Sequence, residues 1–94
     1  MAASCKLTAD GRSTQLGRYA TLARSVVRLE RGPRSIDVQL APGYDRALLG
    51  ETLAIERECC PFLSIAEGDG EFRVSVSDPD HAPVLDALAQ ALGA

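Results

Sequence analysis

Two stretches of the chain repeat a hydrophobic period of two, and they limit the fold more than any other feature. Ile36, Val38 and Leu40 alternate with Asp37 and Gln39. Phe72, Val74 and Val76 repeat the pattern 36 residues further on. Successive side chains of a strand point to opposite faces, so each run reads as a half-buried strand. Each run also has a partner. Val27 and Leu29 alternate with Arg28 and Glu30 ahead of a Gly32-Pro33 turn, and Leu63 and Ile65 precede Glu67-Gly68-Asp69-Gly70. Asp-Gly is a strong short-range hairpin signal. Two hairpins are therefore expected.

Helical patterns fill the rest. Asp10 or Ser13 is expected to cap a first helix reaching about Ser25, with Leu16, Tyr19, Ala20, Ala23 and Val27 on one face. A second helix fits Tyr44 to about Cys59, where Pro61 stops it by forcing the preceding residue out of helical geometry. Asp78-Pro79-Asp80 breaks the last strand and offers a cap to a third helix carrying Val84, Leu85, Leu88, Ala89 and Leu92. The order is α-β-β-α-β-β-α. The expected class is α+β: a four-stranded antiparallel sheet with helices packed on one face, as a single domain over residues 1–94.

Composition narrows the function. The net charge of −3 argues against a nucleic-acid binder, which would carry a basic face. No apolar run reaches membrane-spanning length, and Met1-Ala-Ala-Ser-Cys5 lacks the regions of a signal peptide. Three cysteines cannot all pair within one chain, so reduced thiols and a cytoplasmic location are expected. Arg12, Arg18, Arg24, Arg28, Arg31 and Arg34 make the first half basic and leave the second acidic. These read as solvated faces, although the asymmetry suits self-association, and a domain this small gains stability by forming a homodimer.

The candidate chemistry is concentrated in Glu56-Arg57-Glu58-Cys59-Cys60-Pro61-Phe62. On a helical wheel Leu48, Leu49, Thr52, Leu53, Ile55, Cys59 and Cys60 share a broad face, and Glu56 lies in its middle. A carboxylate buried there needs a partner. A sheet arginine, Arg28 or Arg73, is one candidate, and a bound ligand is another. Both cysteines stand at a helix C-terminus beside Glu56 and Glu58, which opposes thiolate formation and disfavours a nucleophile. A bound soft cation reverses that argument, because binding itself deprotonates the thiols. Cys5, Cys59 and Cys60, with Glu56 in support, are therefore the expected ligands of a thiophilic metal or metalloid ion. The bland reading is that cysteine packs as a small apolar group. His81, the only histidine, reads as a surface residue.

At Cys5-Lys-Leu-Thr and at Glu56-Arg-Glu-Cys59-Cys60-Pro-Phe62-Leu the chain resembles a group of small bacterial proteins of actinobacterial type. That resemblance implies that Cys5, Glu56, Cys59, Cys60 and Phe62 form one unit, and it implies no particular activity. Three functions then compete: soft-ion binding through the thiols, a non-catalytic interaction or accessory module with structural cysteines, and a thiol redox enzyme. Helix-end electrostatics count against the enzyme.

Overall fold

A computed structural model describes residues 8–93. Helix α1 (Ala9–Ala23) leads into strands β1 (Val26–Arg31) and β2 (Ser35–Leu40). Helix α2 (Arg46–Cys59) leads into β3 (Leu63–Gly68) and β4 (Glu71–Val76). A 3-10 turn at Pro79–His81 then opens α3 (Ala82–Ala91). All strand pairs are antiparallel, in the order β1-β2-β4-β3. Ile36, Val38, Leu40, Leu63, Phe72, Val74 and Val76 are buried beneath the helices, while Gln39, Glu71 and Arg73 lie on the open face.

Local signals set the helix ends, with α2 beginning at Arg46 rather than at the expected Tyr44. Asp45 caps α2 by accepting from the Leu48 amide, and Asp78 accepts from the Asp80 amide ahead of α3. Gly43, between β2 and α2, and Gly70, in the β3–β4 turn, take φ values of 90° and 76°, a region closed to most side chains. At α1 the cap is Thr8 rather than Asp10 or Ser13, its side chain accepting from the Gly11 amide. The buried stripe of α1 is Gln15, Tyr19 and Leu22. Leu16, expected inside, is 58% exposed.

Strand β1 also departs from strict alternation. The register jumps from Val26 opposite Leu40 to Arg28 opposite Gln39, so Val27 is the extra residue of a β-bulge. Val26 and Leu29 pack on the core, and Val27 is 64% exposed.

The two helix–hairpin units are structural equivalents. Helices α1 and α2 begin 37 residues apart and end 36 apart, and their caps Thr8 and Asp45 act in the same way. Strands β1 and β3 stand 37 residues apart, and β2 and β4 stand 36 apart. The residue lost between these offsets is in the turns, Gly32-Pro33-Arg34 against Asp69-Gly70. Ile36 pairs with Val74 and Val38 with Phe72, so exchanging the units maps the β2–β4 ladder onto itself. An approximate two-fold axis therefore crosses the sheet between Asp37 and Arg73.

Candidate functional site

Glu56 is only 5% exposed, near the C-terminal end of α2. The Tyr19 hydroxyl donates to Oε1 at 2.7 Å, and the Gln15 amide Nε2 donates to the same oxygen at 3.1 Å. Gln15 Nε2 also reaches the Thr52 carbonyl at 2.9 Å, and Gln15 Oε1 accepts from Arg18 at 2.9 Å. Helix α1 thus supplies neutral donors to a carboxylate that its neighbours on α2 would otherwise leave in apolar surroundings. Burying such a group costs several kcal/mol, which hydrogen bonds to a charged acceptor, at about 1.5–3 kcal/mol each, largely offset.

Glu56 therefore pairs with neither of the expected sheet arginines. Arg28 pairs with Glu30 at 2.7 Å and Arg73 pairs with Asp37 at 2.7 Å, both on the open face of the sheet. An arginine rooted there cannot reach the helical side without crossing the core. Tyr19 was expected as apolar packing, and Gln15 was not expected at all. The available signal was the 15, 19, 22 stripe, a helical spacing whose first member is polar. Burial, the Glu56 charge and the hydrogen bond to Glu56, reinforced by Cys60, hold the Tyr19 hydroxyl well above its ordinary pKa of 10.0, while a hydrogen bond with Gln15 pulls the other way. Tyr19 accordingly remains a donor.

A cleft of about 190 Å³ opens over this cluster. Its polar floor is Glu56, Tyr19 and Gln15, and Cys60 and Phe62 complete it. Leu16 and Arg12 of α1 and Val84, Leu88 and Ala91 of α3 form the sides. The Phe62 ring packs against His81, with centroids 4.3 Å apart. His81 is therefore half-buried rather than a plain surface residue.

The adjacent cysteines separate. Cys60 is 3% exposed and packs in the core at the floor of this cleft. Cys59 is half-buried and lines a different depression, with Gly11, Thr14 and Arg18 on one side and Ile55 and Glu58 on the other. The two clefts flank opposite sides of α1.

This geometry overturns the expected binding of a thiophilic ion through Cys59 and Cys60 with Glu56 in support. Among the described residues, no group of three or more His, Cys, Asp or Glu side chains is placed to hold a metal ion. Cys59 and Cys60 diverge around α1, and Glu56 already accepts from Tyr19 and Gln15. Cys5 lies outside the described residues. Of the unit implied by the resemblance, Glu56, Cys60 and Phe62 meet at one cleft floor, and Cys59 does not join them. Among the described residues, no helix is long and apolar enough to cross a membrane.

No protein-family model matches the chain, and neither a curated protein nor a solved structure matches it.

Proposed function

We propose that this protein is a non-catalytic interaction module, with Cys59 and Cys60 as packing groups and the α1–α3 cleft as the surface offered to a partner protein. The observation that carries the reading is the position of Leu16, a large apolar side chain 58% exposed at the rim of a cleft lined by Phe62, Val84, Leu88 and Ala91. An apolar rim above an apolar wall gains from being covered. At about 190 Å³ the cleft is smaller than most small-molecule sites, which run to roughly 300–1,000 Å³, and it suits one or two inserted side chains. The reading extends to the bacterial group that the Glu-Arg-x-Cys-Cys-x-Phe segment resembles, since Glu56, Cys60 and Phe62 of that segment line the cleft. The odd number of cysteines supports a cytoplasmic setting.

The test is titration of isotope-labelled full-length protein with the capped peptide acetyl-Leu-norleucine-Leu-amide, followed by amide chemical shifts. Expected are shifts at Leu16, Phe62, Val84 and Leu88 that vanish in Leu16→Glu and in Ala87→Arg. Ala87 lies exposed at the cleft on α3, so that substitution blocks the mouth without disturbing the core. Absence of cleft shifts at millimolar concentration, with this peptide and with its variants at the central residue, overturns the reading. Sedimentation that gives a dimer in wild type and a monomer in Leu16→Glu makes a second copy of the chain the occupant.

A further inference from the structure

Apart from Arg12, the cleft described above is apolar around its sides, and it carries one carboxylate on its floor. Glu56 lines it and is hydrogen-bonded by two neutral groups, Tyr19 and Gln15. No described residue makes an ion pair with it. Arg18 stops one step short, bonded to Gln15, and it forms its own ion pair with Glu51 at 3.6 Å. A buried carboxylate supported only by dipoles keeps its negative potential in a low-dielectric setting, where an opposite charge is worth far more than in water.

We infer that the occupant of the cleft is a lysine side chain of the partner protein, flanked by apolar residues, with its ammonium group seated on the Glu56 carboxylate. This rests on the reading of the cleft as an interaction surface and adds the charge of what fills it. A lysine stem is a flexible apolar chain with a compact cationic head, so it can lie along Leu16 and Leu88 while its head reaches the floor. Arg12 is the cation at the rim and opposes the incoming charge from outside. It therefore lowers the affinity without removing the preference set by the floor.

Three capped peptides that differ only at the central residue separate charge from shape: acetyl-Leu-Lys-Leu-amide, the norleucine peptide and acetyl-Leu-Glu-Leu-amide. Shift titrations of the full-length protein should place the lysine peptide about tenfold or more tighter than the norleucine peptide, the range of one charge-assisted hydrogen bond. The glutamate peptide should bind most weakly. Glu56→Gln keeps an oxygen that accepts from Tyr19 and Gln15, so the fold is retained while the charge is lost. In that variant the lysine and norleucine peptides should bind alike, and Arg12→Gln should tighten lysine binding in wild type. Equal binding of the two peptides to wild type overturns the inference and leaves the interaction surface standing. Cleft shifts with none of the peptides overturn both.

Discussion

Tyr19 and Glu56 occupy the same position in two structurally equivalent helices, and the hydroxyl of one donates to the carboxylate of the other at 2.7 Å. Each stands 11 residues beyond its helix cap, Thr8 or Asp45. On the other side of the sheet Asp37 and Arg73 stand in the same relation, equivalent residues of β2 and β4 bonded directly to each other. Both faces of the approximate dyad are thus marked by a pair whose members have complementary chemistry. A strict repeat would place two identical groups at such a point, and two carboxylates there would repel.

Tyr19→Phe should cost about 1–3 kcal/mol, because it leaves a buried carboxylate short of a donor. Glu56→Gln, whose amide oxygen still accepts from Tyr19, should cost less. Urea unfolding monitored by circular dichroism ranks the two. A cost near zero for Tyr19→Phe would mean that the hydrogen bond contributes nothing to stability.

Tyr19 sets an alkaline limit. Its folded pKa is raised, so its contribution to stability is complete below 10.0 and is lost as pH climbs from there through the folded value. The difference in phenolate absorbance between wild type and Tyr19→Phe should stay absent at pH 10 and emerge only as the protein unfolds. A Tyr19 signal that rises at pH 10 in folded protein would contradict this.

Asp37 sets a weaker acidic one. The hydrogen bond from Arg73, aided by its charge, lowers the Asp37 pKa below its ordinary 3.8. Its contribution is present above 3.8 and fades as pH falls through the lowered value. Denaturation midpoints of wild type and Asp37→Asn should differ slightly above pH 4 and converge toward pH 2. Because the pair is exposed, the difference should shrink in 1 M salt.

The cysteines should answer differently to substitution. Cys60→Ser places a hydroxyl in the core at a cost of about 1–3 kcal/mol, whereas Cys59→Ser at its half-buried site should stay within about 1 kcal/mol. In native protein a thiol reagent should modify Cys59 before Cys60. The reverse order would show that the burial difference does not govern access.

The sheet was legible because its signals are local. Ile36, Val38, Leu40, Phe72, Val74 and Val76 need only a period of two, and Asp69-Gly70 and Asp78-Pro79-Asp80 act within a few residues. The bulge at Val27 was hidden, since one extra residue shifts the period without changing composition. Leu16 misled for another reason: a helical wheel gives a face but not what covers it, and Leu16 opens on the cleft beside α3. The odd position of Glu56 could be read from its own helix. Its partners could not, because Gln15 and Tyr19 arrive from a helix about 40 residues away in sequence. The divergence of Cys59 and Cys60 depends on which residues of α1 each one meets, which no spacing records.

The approximate two-fold has an evolutionary reading. A homodimer with an isologous interface presents one patch to its own copy, and the β2–β4 seam has that form, each strand offering the other the same edge in opposite direction. A single helix–hairpin unit would satisfy such a seam as a pair of separate chains. Gene duplication with fusion across Ala41–Tyr44 would then join the pair covalently. Once joined, the two copies of each dyad position can mutate separately. Only after fusion could one helix keep a tyrosine where the other keeps a glutamate.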